Sequence, residues 1–229
     1  MIEQTSIILL SYLFLFRISN PETYSLEISG INSFYLFPIY SISLYLTNMI
    51  WFYWRNNHRS SPTIYQSILI FLNIFSLSVT PLFFLRDKHY VSRNGGDTIF
   101  NIISYILFEE FLFYVVHRLM HTKIGYILHK THHEPKILTP IYAQYASIFE
   151  TIITSFVLGI PIQMLSLSLT DIYIAAPLYI TSNVASHTEM FKDRHWKHHK
   201  YRRGNYGNIS IFDYFFDSEI NDSTITSEQ

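Results

Sequence analysis

The chain has 229 residues and a formal net charge of −1; it is 49% apolar, only 14% charged, and contains no cysteine. A soluble domain carries about 25% charged residues, so the shortfall, together with 18 Tyr and 19 Phe, points to lipid. One domain is expected at this length. Disulfides, zinc–thiolate sites and a cysteine nucleophile are excluded, so any metal must be held by nitrogen and oxygen. The basic residues are too few for a phosphate-tracking surface, which excludes nucleic acid.

Residues 1–20 hold an apolar run, Ile7–Phe16, about half the ~20 residues a spanning helix needs. It lacks the flanks of a secretory signal and reads as a surface or loosely inserted helix. Residues 31–54 and 64–85 carry no charge and are long enough to span. Residues 86–97 form a polar loop ending in Asn94-Gly95-Gly96-Asp97, a turn followed by a candidate N-cap. A third span starts near Thr98 and runs to about Val116. Residues 117–147 are amphipathic. An apolar run from Ile148 to Leu169, a tight turn at Thr170-Asp171 and a return from Ile172 to about Ser186 make a helical hairpin. Residues 192–203 are basic, and the tail after Asp217 is polar and expected to be disordered.

Orientation follows from the basic residues. Arg55 and Arg59 outweigh Arg17, so the end of the first span faces the cytosol. Counting through the next two spans puts His117 to Lys136 on the same side, and the hairpin returns 187–203 there. Arg86, Lys88 and Arg93 fall on the far side, offset by Asp87 and Asp97. The sequons at Asn208 and Asn221 then face the cytosol and stay unglycosylated.

Nine of the eleven histidines fall in groups. His117 and His121 are four apart. His129, His132 and His133 form H-x-x-H-H, and His195, His198 and His199 repeat it, preceded by Asn183-x-x-x-His187. Residues three and four apart share a helix face, so each group aims its imidazoles at a common point. His58 and His89 are isolated and read as interface residues. Nine imidazoles exceed the ~4 ligands of one zinc site and suit two ions. Imidazole serves iron, zinc and copper alike, so spacing leaves the metal open. Two adjacent irons can bind O2, share its reduction and oxidise an unactivated C–H bond; a site at the headgroup boundary has access to lipid chains. Glu110 and Tyr114 share a stripe with His117 and His121. Glu110 is a candidate acceptor for a ligand's N–H and Tyr114 a candidate donor to the same network; the alternatives are a neutral buried carboxyl and an interface aromatic.

These groups resemble the fatty acid hydroxylase superfamily, which includes sterol desaturases, sterol C4-methyl oxidases and fatty-acid or sphingolipid hydroxylases. The matching pieces are Glu109-Glu110-x-x-Phe113-Tyr114-x-x-His117-Arg118-x-x-His121, His129-Lys130-x-His132-His133-Glu134, Asn183-x-x-x-His187, and His195-x-x-His198-His199 with Asn205-Tyr206-Gly207. The resemblance implies an all-α integral membrane protein of four to five transmembrane helices, with a cytosolic helical cap over a histidine-rich dimetal site. It implies two iron ions (zinc as an alternative in purified protein), O2, a lipid substrate, and electrons from a separate donor such as cytochrome b5 and its reductase. Carried over by position, the metal ligands are His117, His121, His129, His132, His133, His187, His195, His198 and His199. Asn183 stands where some hydroxylases have a tenth histidine and sterol-type members have asparagine, which tilts the resemblance to the sterol branch.

Two motifs depart from the family. Tyr145-Ala146-Ser147-Ile148-Phe149-Glu150 replaces Tyr-Ala-His-Pro-x-Glu, and Phe212-Asp213-Tyr214-Phe215-Phe216-Asp217 replaces Trp-Asp-x-x-Phe-Gly; both bear on substrate fit. Asp213 and Tyr206 read as structural residues of the cap. The expected organisation is N-terminal membrane helices and loop over 1–97, a catalytic region over 98–218 and a polar tail over 219–229, all in one folded domain. In a eukaryotic cell the expected location is the endoplasmic reticulum. The competing readings are a non-enzymatic or degenerate membrane metal binder and a membrane zinc hydrolase.

Overall fold

The computed structural model describes residues 33–56, 60–85, 95–188 and 195–220. The run Ile7–Phe16, His58, His89, most of the polar loop and the tail from Asn221 lie outside the described residues. Five helices of 17 to 26 residues make the body: α1 (Ser33–Arg55), α2 (Ile64–Phe84), α3 (Gly95–Met120), α5 (Ile148–Met164) and α6 (Leu169–Ser186). Between α3 and α5 lie the single turn α4 (Tyr126–His129) and a 3-10 turn, Pro140–Tyr142. Two short helices follow, α7 (His195–Tyr201) and α8 (Ile211–Phe215). No strand occurs among the described residues.

The helices form where the apolar runs are long enough, and polar side chains set their ends. Thr63 accepts from the Gln66 N–H and the Gln66 side chain accepts from the Thr63 N–H, a reciprocal cap on α2. Ser147 caps α5 through the Glu150 N–H. Two boundaries differ from the sequence reading. The turn between α5 and α6 lies at 165–168, with Ser166 at φ 49°, instead of at Thr170-Asp171. Ser168 and Asp171 form a reciprocal cap, so Asp171 sits inside the first turn of α6. Likewise α3 begins at Gly95, so Asp97 lies within its first turn, where a carboxylate meets the helix dipole, and is no N-cap.

α2 packs on α5 and α1, α1 on α6, and α3 on both α5 and α6. One apolar cluster joins α1, α2, α6 and the 3-10 turn through Tyr45, Met49, Ile74, Tyr142 and Val184. A second joins α1, α3, α5 and α6 through Phe37, Ile102, Ile162 and Ile172. Gly159 marks where α5 meets the end of α2: a Cβ there would come within 2.2 Å of the Phe84 ring. Two helices, α2 and Asp97–Met120 of α3, are long and apolar enough to cross a membrane; α5 is a shorter apolar helix. The C-terminus of α3, the N-terminus of α5 and the C-terminus of α6 lie at one end of the bundle, under α4, α7 and α8.

Candidate metal centre

Each histidine comes to that end on a different piece of chain. His117 rides the last turns of α3, and His121 follows directly, its N–H bonded to the His117 carbonyl at 3.2 Å. His129 ends α4, and two tight turns carry His132 and His133 (N–H to the carbonyls of His129 and Lys130, 3.1 Å each). His187 caps the C-terminus of α6. His195, His198 and His199 project from α7.

All nine imidazoles foreseen from the sequence converge, and they divide into two groups. His117, His121, His129, His133 and His198 form one; His132, His187, His195 and His199 form the other. Within each group the candidate ligand nitrogens lie within 4.8 Å of one another. In the first, His129 Nε2 is 3.0 Å from both His117 Nε2 and His133 Nε2, and His133 Nε2 is 3.2 Å from His121 Nε2 and from His198 Nε2. In the second, His187 Nε2 is 3.3 Å from His132 Nε2.

The opposite ring nitrogen decides what these approaches mean. Nδ1 of His117 donates to the Tyr206 carbonyl (2.6 Å), His132 to Tyr145 (3.0 Å), His187 to Asn183 (2.9 Å) and His198 to Gly204 (2.7 Å). His129 Nδ1 donates to Glu150 Oε1 at 2.7 Å. A neutral imidazole has one N–H and one lone pair. With the N–H committed at Nδ1, the lone pair lies on Nε2. Lone pairs therefore face one another across about 3 Å, with too few protons to bridge them. A cation at their focus removes that repulsion. His133 Nδ1, His195 Nδ1 and His199 Nε2 are also buried without a hydrogen-bond partner, which is costly unless something else satisfies them. The donor set fits a pair of borderline metal ions: nitrogen only, nine strong, five on one side and four on the other.

Seven of the nine rings are buried. Burial, then the neighbouring imidazoles, hold the rings neutral. His121 and His187 are each pushed down to about 3. Burial does the same to His129, also to about 3, and lowers His132, His133, His195, His198 and His199. Neutral rings are the ligating form.

Glu110 does not touch a histidine. Its two oxygens accept from the N–H groups of Asn208 and Ile209, 3.0 Å each. Asp213 accepts from the Tyr206 and Gly207 N–H groups at 2.7 Å each and from the Ser218 hydroxyl at 2.8 Å. The two carboxyls thus clamp the 206–209 loop, which presents the Tyr206 carbonyl to His117. Tyr114 also stands back from the rings: its hydroxyl meets Ser218 and Arg118, and its ring stacks on Phe216 at 5.3 Å. Tyr114 reaches the Asp213 clamp through Ser218, whereas Glu110 differs from the expectation that it accepts a ligand's N–H. The carboxylate in that position is Glu150. Its signal in the sequence was the Ser147-x-x-Glu150 capping pattern, which puts a carboxyl in the first turn of the helix after the second histidine group.

Asn183 supports His187 through its backbone, and its side-chain oxygen accepts from the Gln144 amide at 2.5 Å. Below the rings is a chamber of about 40 Å³, lined by Leu77, Phe113 and Tyr179 on the bundle side and by His117, His129, His132, His187 and His195 above. It touches both imidazole groups and has room for small molecules of water size.

Comparison with curated proteins and with solved structures gives no match. A family model described as fatty acid hydroxylase matches residues 102–218. That span runs from α3 through α8 and takes in all nine clustered histidines, Glu110, Glu150 and Asp213. The family comprises lipid hydroxylases and desaturases, which are membrane-associated oxidoreductases. The chain belongs to the fatty acid hydroxylase family, that of the sterol desaturase and C4-methyl oxidase-like proteins.

Proposed function

We propose that the protein is a membrane-bound non-haem di-iron oxygenase that hydroxylates or desaturates a C–H bond of a lipid, either a sterol or a fatty-acyl or sphingoid chain. One observation carries this reading: two adjoining groups of five and four imidazoles, each with its candidate ligand nitrogens within 4.8 Å of one another. A zinc hydrolase needs one open three-ligand site with a carboxylate base, and would leave most of these rings without a role. When bound, an iron pair supplies O2 binding and its reduction. Hydroxylation places one oxygen atom in the C–H bond and releases the other as water, consuming two electrons and two protons.

The chain's own residues do the rest. The nine imidazoles hold the ions. Glu150 and the carbonyls of Tyr145, Asn183, Gly204 and Tyr206 fix ring orientation and tautomer. Phe113 and Leu77 present an apolar wall that positions a C–H bond and excludes water; such positioning decides which carbon reacts. In this reading α1, α2, α3 and the α5–α6 hairpin lie in the membrane, with the histidine end at the cytosolic face. A separate donor, such as cytochrome b5 with its reductase, delivers electrons there.

The test is metal content with lipid profiling. Purified protein should carry about two irons per chain, and cells expressing it should gain a hydroxylated or unsaturated lipid that the His132→Ala variant does not make. One zinc per chain, or identical lipid profiles for the two, would overturn the reading.

A further inference from the structure

Two cavities lie end to end along α2. The inner one is the chamber beneath the imidazoles, bounded by Leu77 and Ala143. The outer one is an apolar groove of about 250 Å³ between α1 and α2, and it reaches Ile141 of the 3-10 turn. Ser67, Ile70 and Ile74 line the groove and Leu77 lines the chamber. These positions follow the i, i+3, i+7, i+10 spacing of a single helix face, so one stripe of α2 passes from groove to chamber. The 3-10 segment behaves likewise, with Ile141 on the groove and Ala143 on the chamber.

Ile74 lines the groove and Ala143 the chamber. Ile74 and Ala143 belong to the same buried cluster. The wall segment 140–146 has only one short turn of helix, and side chains tie it down. Asn73 donates to the carbonyls of Gln144 (2.9 Å) and Ala146 (3.0 Å), and the Tyr142 hydroxyl meets Ser60 at 3.2 Å. Such ties break and re-form at a cost of about 1 kcal/mol each, far less than the parting of two packed helices.

The groove's mouth fixes what enters. It is continuous with the outward flank of α2, where Ile68, Phe71, Leu72 and Phe75 are exposed on a helix apolar enough to cross a membrane. Ser67, Tyr53 and Trp54 are the polar-bearing side chains in its lining and none is charged, so a charged ligand would go unmatched. Its volume lies just under the roughly 300 Å³ of small-molecule sites, which suits one slender apolar chain and not a folded partner.

We propose that groove and chamber are the two halves of one substrate passage: a single hydrocarbon chain of a bilayer lipid enters between α1 and α2 and reaches the imidazoles when Ile74 and Ala143 part. The chemistry at the inner end rests on the oxygenase reading; the binding of the chain does not. The test reconstitutes the full-length, metal-loaded protein in phosphatidylcholine vesicles with a fatty acid carrying a diazirine at its methyl end. After illumination, the labelled residues are mapped by mass spectrometry and metal content is measured in parallel. Labels are expected on Ile141 and, past the wall, on Leu77 or Ala143, and excess unlabelled fatty acid should remove them. Ser67→Trp fills the mouth and should cut the inner labels about tenfold with metal content unchanged. Should that variant lose its metals, Ile74→Ala decides, because a smaller wall residue must raise inner labelling.

The proposal is overturned if labels stay on outward residues such as Leu72 and Phe75, if Ser67→Trp with its metals intact or Ile74→Ala leaves inner labelling unchanged, or if a residue of the 1–32 segment proves to fill the groove. A protein that takes inner labels yet oxidises no lipid would overturn the oxygenase reading and leave the passage standing. One that makes product without inner labels would overturn the passage alone.

Discussion

Glu150 shows how much of the centre hangs on groups that bind no metal themselves. Its Oε1 receives the His129 N–H at 2.7 Å, and that bond alone points the His129 lone pair at His117 and His133. Glu150→Ala leaves a buried N–H without a partner, at about 1–3 kcal/mol, and frees the ring to turn. Metal affinity, read by competition with a chelator, should fall 10–100-fold. Glu150→Gln keeps an acceptor oxygen and should lose less. Equal affinity in Glu150→Ala and the unaltered protein would show that the pair is incidental.

The same burial makes a pH signature. Folded, His121, His129 and His187 bind protons only near pH 3; unfolded, they bind them near 6.5. Between those values the unfolded state holds more protons, so stability must fall as the pH falls. Denaturation midpoints of the metal-free protein in detergent should decline as the pH falls below about 6.5. A curve that stays level through that window would mean the rings are not held neutral.

At the scale of elements, the helices were legible because apolar run length is a direct physical requirement. The runs at 31–54, 64–85 and 98–116 became α1, α2 and most of α3. The α5–α6 turn was misplaced because Asp171 resembles a turn residue, whereas Ser168 three residues earlier makes it part of a cap. The histidine groups were legible through their spacing. What stands behind them was not, since Glu110 meets backbone about a hundred residues further along, and no local pattern encodes that pairing. The 206–209 loop is correspondingly sensitive. A Cβ on Gly207 would lie 2.5 Å from Glu110 Oε1 and 3.0 Å from Asp213 Oδ2. Gly207→Ala should push the loop off both carboxyls and draw the Tyr206 carbonyl away from His117. Metals per chain should then drop although no ligand has changed; full metal content in that variant would show the clamp to be dispensable.

The whole molecule turns on which side of a membrane its pieces lie. The fold already joins the cap: His198 and His133 stand 3.2 Å apart, so Lys130 and Lys200 beside them must share a face whatever the topology. The informative comparison is along α3. Its 26 residues extend about 39 Å at 1.5 Å per residue, against a hydrocarbon core of about 30 Å. On the proposed topology the excess, roughly six residues, would leave His117 and the turn after it outside the hydrocarbon at one end, with Asp97 emerging at the other. The absence of cysteine makes this easy to measure, because each introduced thiol is the only one. In sealed vesicles a membrane-impermeant maleimide should label Lys130→Cys and Lys200→Cys from the cytosolic face and Asp97→Cys from the opposite face. If Asp97→Cys and Lys130→Cys react from the same side, α3 does not cross, and a centre fed by lipid from within the bilayer would have to be approached along the surface instead.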